Sequence, residues 1–265
     1  MQQLSTSSQH IQASRDGSIG WLVLNRPARR NALSAEMWAA IPESIAALEN
    51  SADIRTIVIR GAGSDAFAAG ADISEFSETR SSASSSEDYE RLHAMALASI
   101  RQASRPVVAM IQGYCIGGGL AIALACDLRV ADGSAVFALP PARLGLAYPL
   151  DGLRDLVAAV GASNAKDLLF TARRLKAQDA LQIGLINHHF ADIEPDTRAL
   201  CAEISAGAPL TILHCKQAIN LISQQTGHAD EERVAELAAA CFDSADYAEG
   251  RAAFAAKRKP VFKGE

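Results

Sequence analysis

The chain has 265 residues, enough for one large domain or a main domain with a smaller appendage, and its 49% hydrophobic content with few aromatics suits a compact, helix-rich protein. A formal net charge of −5, with the short KRKP run at 257–260 as its basic block, leaves no electrostatic footprint for a phosphate backbone and excludes nucleic acid as a partner. No apolar run approaches the roughly 20 residues of a membrane span, and the polar start MQQLSTSSQH lacks a secretion-signal layout, so a soluble cytoplasmic protein with no membrane partner is expected.

Residues 10–14 and 18–25 (SIGWLVLN) predict two strands joined by an Asp16-Gly17 hairpin turn. Ser34 is placed to cap a helix to about Glu49, with Glu36 in the first turn, where a negative charge is favoured. RTIVIR (55–60) predicts an apolar strand, and the loop GAGSDAFAAGAD then enters a short helix near Ile73–Phe76. The polar run SSASSS (81–86) caps a long amphipathic helix ending near Ser104; it reads as a solvated loop, with a mobile lid as the alternative.

The strand VVAMI (107–111), a glycine loop, a core helix over 119–126 and a strand over 128–131 follow. After Gly161 helices dominate, apart from the strand-like LINHHF (185–190). Glu194-Pro195 and Pro209 mark a soft boundary near 195. A strand-strand-helix unit recurs, giving an α/β chain with a core over 1–194 and a helical region over 195–265. Cys115, Cys126, Cys201, Cys215 and Cys241 are odd in number, without a CxxC pair, and four sit in patterns of buried helix or strand, so reduced thiols are expected. His188 and His189, adjacent in a strand, point to opposite faces and cannot chelate one metal, so no metal site is expected.

Both glycine-rich segments have one layout: apolar strand, glycine turn, helix start. The first turn of a helix leaves backbone N–H groups without intrahelical partners, and the helix dipole adds positive character there. Glycine removes the Cβ atoms that would hold a carbonyl away. Two such amides from separate loops would make an oxyanion hole. Close packing of helix on strand is the other use of Gly117, Gly118 and Gly119.

AFAAGADISEF (66–76) and GYCIGGGLAIALACDLRVA (113–131), with LNRPARRNALS (24–34), ALQIGLINHHF (180–190) and DYAEGRAAFAAKRKPVF (246–262), resemble the crotonase (enoyl-CoA hydratase/isomerase) superfamily along nearly the whole chain. The resemblance implies a crotonase fold, a spiral of ββα units with a C-terminal helical trimerisation region. It also implies an acyl-CoA thioester substrate, of which coenzyme A is a part rather than a separate cofactor. The thioester oxygen would be held by the amides of Ala71 and Gly118. Residues around Asn31, Ala32, Ala69, Ala71, Asp72, Ile73 and Ser74 would lie along the CoA, with Arg29 or Arg30 at its phosphates. The basic tail would lie near the CoA of a neighbouring subunit in a homotrimer or dimer of trimers.

Hydratases of that superfamily use two glutamates, and the matching positions here are Ala121 and Pro141. No glutamate occurs between Glu90 and Glu194. Since acid–base catalysis needs a titratable group within about 3 Å of the moving proton, hydration by that pair is disfavoured. Decarboxylation of a 2-carboxyacyl thioester needs no base, because the departing CO2 leaves its electron pair in the enolate. RLGLAYPLDGLRDL (143–156) is similar to the corresponding segment of bacterial methylmalonyl-CoA decarboxylases, which carry a Tyr at the position of Tyr148 and a His at that of Ala71. Tyr148 would orient the carboxylate or protonate the enolate; an ordinary loop aromatic is the plain alternative. Asp151 is the second candidate acid, against a helix-spaced ion pair with Arg154. Asp72 and Asp127, at element junctions, read as caps or ion-pair partners. The favoured expectation is therefore a decarboxylating lyase; the alternatives are an enoyl-CoA hydratase/isomerase of fatty acid metabolism and an acyl-CoA-binding protein without turnover.

Overall fold

The computed structural model describes residues 2–72, 83–144, 148–224, 243–256 and 260–264, together with Glu236, Ala240 and Arg258. Strands β2 (Ile11–Asp16) and β3 (Ile19–Leu24) form an antiparallel hairpin, with Ile11 opposite Leu24 and Asp16 opposite Ile19. Gly17, at φ +59°, supplies the left-handed residue that this tight turn requires. The short β1 (Gln2–Leu4) pairs outside β2. Ser34 then caps α1 (Ala35–Glu49), its hydroxyl accepting the Met37 N–H at 3.3 Å.

From there one unit repeats. Its first strands, β4 (Thr56–Gly61), β6 (Val107–Ile111) and β8 (Leu128–Ala131), lie parallel in a large sheet. Its second strands, β5 (Ala66–Ala68), β7 (Tyr114–Ile116) and β9 (Val136–Ala138), lie parallel in a small one. Each strand pair leads into helix: α2 (Ala83–Gln102), then α3 (Gly118–Ala125), then α4 (Pro141–Leu144) with α5 (Leu150–Thr171). Strand β10 (Leu175–Lys176) closes the small sheet, and after α6 (Ala177–Gln182) strand β11 (His188–His189) closes the large one. The resulting strand orders are β1-β2-β3-β4-β6-β8-β11 and β10-β9-β7-β5.

The alternation of side chains along a strand explains the layering. From β3, β4 and β6, Leu22, Leu24, Ile57, Ile59, Ala109 and Ile111 face the main core with α1 and α3. Trp21, Val58, Val108 and Met110 face the other way, where Ile193 and Cys201 of α7 (Ile193–Ser205) cover them. Helix α3 is buried from Gly119 to Ala125, consistent with a run that has no polar face. Helices α8 (Pro209–Gln224) and α9 (Ala245–Ala255) follow among the described residues; the Asp246 carboxylate accepts the N–H groups of Lys263 at 2.7 Å and Gly264 at 2.8 Å, folding the chain end back on α9. No described helix is long and apolar enough to cross a membrane.

Several boundaries differ from the sequence expectation. The strands β5 and β7 lie where loops were expected, and β9 lies in a stretch that the sequence left unassigned, because three residues are too few to display alternation. Helix α2 begins at Ala83, inside the polar run, and LINHHF contributes only its His188–His189 pair to the sheet. Pro195 sits in the first turn of α7, where its missing N–H costs nothing, so Glu194-Pro195 opens a helix. Gly161, at φ +74°, breaks the helical backbone within α5. Cys115, Cys126 and Cys201 are buried, but Cys215 is exposed on α8; Cys241 and the expected Ile73–Phe76 helix lie outside the described residues.

Candidate active site

The segment 26–34 is built around Asn31, which is wholly buried and holds φ +54°. Its Oδ1 accepts the Arg26 N–H at 2.9 Å, and its Nδ2 donates to the carbonyls of Ala62 at 3.1 Å and Ala66 at 2.7 Å. A short polar side chain tolerates the left-handed conformation best after glycine, and here it bonds to three backbone groups. The Asn31 side chain is thereby committed within the fold, as a brace. Arg30, also left-handed at φ +51°, is carried out to the surface, its guanidinium 5.2 Å from the centre of the Tyr114 ring. Arg174, outside the residues singled out from sequence, approaches the same ring at 5.9 Å. Arg29 is exposed beside them.

Three backbone hydrogen bonds staple this segment to the first glycine loop: Ala69 N–H to Arg30 C=O at 3.0 Å, Leu33 N–H to Gly70 C=O at 2.8 Å, and Asp72 N–H to Leu33 C=O at 2.9 Å. The amides of Ala69 and Asp72 are thus consumed. That of Ala71, half-buried between them, has no acceptor among the described residues. Asp72 itself is buried against Arg26 at 2.9 Å, and Arg26 also donates to the Ala32 carbonyl at 3.0 Å. Ile73 and Ser74 lie outside the described residues.

The second glycine loop lies directly on the first. A Cβ on Gly70, at φ +108°, would come within 3.3 Å of the Ile116 carbonyl oxygen, and one on Gly117, at φ +54°, within 3.8 Å of Gly70 Cα. One on Gly119 would fall 2.3 Å from the Ala68 carbonyl oxygen. The consecutive glycines therefore supply a left-handed turn at Gly117 and the close helix–strand approach expected of the run. Gly118 is the first residue of α3, where an N–H has no intrahelical acceptor, and among the described residues it has no other. Behind it stands Trp38, its Cζ2 3.0 Å from where a Gly118 Cβ would be. The indole N–H donates to the Tyr89 hydroxyl at 2.9 Å, and the His93 ring meets the indole edge-on at 4.7 Å. Sequence reading missed Trp38, whose place beneath the loop has no local signal.

Two unused amides on touching loops, one at a helix N-terminus, have the chemistry to stabilise a developing oxyanion. Ala121 is buried one turn along α3 from Gly118, and Pro141 opens α4. Asp151 lies on the exposed side of α5, paired with Arg154 at 2.9 Å. Asp127, deeper in the fold, pairs with Lys216 at 2.8 Å and accepts the Val107 N–H at 2.7 Å; burial still pushes its carboxyl above the usual range, Lys216 opposing.

Tyr148 is different. Its hydroxyl oxygen is buried and has no hydrogen-bond partner among the described residues. Burial pushes the phenol well above its ordinary pKa, with the Asp155 carboxylate and Cys115 adding to the shift. The group is therefore a neutral hydroxyl, able to donate a hydrogen bond and unsuited to act as a base. Asp155 is held by Arg101 of α2 at 2.7 Å.

The comparisons with known proteins agree with this architecture. Residues 14–265 match the family model described as enoyl-CoA hydratase/isomerase. A short-chain-enoyl-CoA hydratase of Clostridium acetobutylicum is 32% identical over 250 residues, covering 92% of this chain and 94% of that protein. A methylmalonyl-CoA decarboxylase of Escherichia coli is likewise 32% identical, over 264 residues, covering 97% and 99%. Among solved structures, an enoyl-CoA hydratase/carnithine racemase from Magnetospirillum magneticum superposes with a TM-score of 0.90 at 35% identity, covering 98% of this chain and 97% of that one.

Proposed function

Because the chain belongs to the enoyl-CoA hydratase/isomerase family and is an acyl-CoA enzyme of the crotonase superfamily, we propose that its reaction is decarboxylation of a 2-carboxyacyl-CoA such as methylmalonyl-CoA. The observation that carries this reading is the buried Tyr148 hydroxyl, without a hydrogen-bond partner among the described residues, in a chain whose Ala121 and Pro141 supply no acid. An unpaired buried hydroxyl costs about 1–3 kcal/mol, which a substrate carboxylate or enolate would recover.

In this reading the thioester oxygen lies against the amides of Ala71 and Gly118, and the nucleotide end runs along 29–32 and 69–74, with Arg29 or Arg30 at a phosphate. The bond between the α-carbon and the carboxylate breaks, its electron pair enters the thioester as an enolate, and CO2 departs. Charge grows on the oxygen as the transition state forms, where the two amides act most strongly. The α-carbon then takes a proton from the Tyr148 phenol, which solvent reprotonates. Ala71, where such decarboxylases carry a His, keeps the backbone donor but not that side chain's polar contact. Oligomerisation is assigned to residues 195–265, as a trimer or dimer of trimers; the exposed Ile219 and Ile222, one turn apart on α8, support an apolar contact there.

Release of CO2 from methylmalonyl-CoA or malonyl-CoA tests the reaction, and a protein that releases none from either is not a decarboxylase. The hydratase/isomerase alternative draws on the equally similar Clostridium acetobutylicum hydratase. It expects loss of conjugated-alkene absorbance from a trans-2-enoyl-CoA. Tight thioester binding without turnover of either substrate class would mark a binding protein.

A further inference from the structure

Gly152 lies in the first turn of α5, whose N-cap is Pro149, and Tyr148 immediately precedes that cap. Its backbone is not in the left-handed region, so the conformation does not require glycine, and alanine is the better helix former. The surroundings supply the reason instead. A Cβ on Gly152 would lie 2.6 Å from Cε1, 3.3 Å from Cζ and 3.4 Å from Cδ1 of Tyr148. The three nearest atoms all belong to that one ring, and Cζ is the atom that carries the hydroxyl. The missing methyl is thus a recess into which the phenol ring fits.

We propose that Gly152 is a positioning residue: its bare Cα seats the Tyr148 ring against α5 and thereby aims the buried hydroxyl, which has no partner among the described residues, at the substrate. This deepens the assignment of Tyr148 and rests on it. With a methyl group at 152, ordinary contact distance is restored only if the ring moves by roughly 1 Å, a displacement that can cost a reaction about a hundredfold when it falls on a group acting on the reacting atoms. The two amides of the glycine loops are not among the atoms nearest the added methyl, so the thioester still docks. Asp155, one turn further along α5, is fixed by Arg101 at 2.7 Å.

The test joins a structural probe to a kinetic one. The chain has four tyrosines. With all of them replaced by 3-fluorotyrosine, comparison with Tyr148→Phe identifies the 19F resonance of Tyr148. In Gly152→Ala that resonance shifts while the others hold. The kcat for CO2 release from methylmalonyl-CoA falls by about ten- to a hundredfold, and KM stays within about threefold. The double variant with Tyr148→Phe is no slower than Tyr148→Phe alone, because both changes disable one group. Any thermal destabilisation in Gly152→Ala disappears when Tyr148→Ala is added. An unmoved Tyr148 resonance, a kcat within about threefold of the parent, or losses that multiply in the double variant would each overturn the proposal. If the parent releases no CO2, the reaction assignment alone fails, and the 19F comparison still decides whether Gly152 seats the ring.

Discussion

Leu33 and Ala71 form a parallel bridge in which Leu33 does all the bonding: it donates to the Gly70 carbonyl at 2.8 Å and accepts the Asp72 N–H at 2.9 Å. In such a bridge the residue between the two bonds turns its own N–H away from the partner strand. Ala71 is thus held rigidly by its neighbours while its amide stays uncommitted. Proline tolerates a position whose N–H is unused. Ala71→Pro should therefore fold with near-parental stability while kcat falls about 10²–10³-fold, the cost of one oxyanion donor. Ala71→Val, which keeps the N–H, is the control for bulk. Steady-state kinetics with thermal unfolding in parallel checks this, and equal losses in both variants would assign the effect to the side chain.

Asn31 offers a stability prediction. Asn31→Ala strands the Arg26 N–H and the carbonyls of Ala62 and Ala66, and leaves a Cβ residue at φ +54° without a polar side chain to support it. A loss of about 2–4 kcal/mol is expected in denaturant unfolding. Because the same segment is stapled to Ala69–Asp72, thioester affinity should fall with it. A loss under about 1 kcal/mol would mean that other contacts hold the segment.

The Tyr148 phenol gives a pH signature independent of turnover. Its folded pKa is raised above the unfolded value of about 10, so the stability linked to its neutral form is complete below pH 10 and is lost as pH rises through that value. Above pH 10 the parent should lose about 1.4 kcal/mol per pH unit more than Tyr148→Phe, which has no proton to lose. Unfolding free energies from pH 8 to 11 for the two proteins make the comparison. Parallel profiles would show that the hydroxyl is not buried.

Asp151 is expected to matter little. Its pair with Arg154 is more than half exposed on both sides, and such pairs contribute at most about 1 kcal/mol. Asp151→Ala should keep its kcat for CO2 release or hydration within about twofold and its stability within about 0.5 kcal/mol. A drop of about a hundredfold or more would move the acid role from Tyr148 to Asp151.

Legibility from sequence followed the range of the interactions involved. The Asp16-Gly17 hairpin and the Ser34 cap are local, and each residue type there meets a backbone demand within three or four positions. The glycine loops were legible as a layout, but not the contact of Gly117 with Gly70 or of Gly118 with Trp38, which join residues 47 and 80 positions apart. The short strands of the small sheet are set by pairing across the spiral rather than by their own pattern. Gly152 had a local signal, a tyrosine four residues before a glycine at a helix start, whose meaning depends on which way the ring turns. Tyr148 could be named from resemblance, whereas its lack of a partner is visible only once its surroundings are assembled.

The structure of the protein with an unreactive acyl-CoA thioester bound measures the central relationship directly. The expected result is a thioester oxygen about 2.7–3.1 Å from both the Ala71 and the Gly118 amide nitrogens. A thioester bound with its oxygen beyond hydrogen-bond distance of either amide would contradict it.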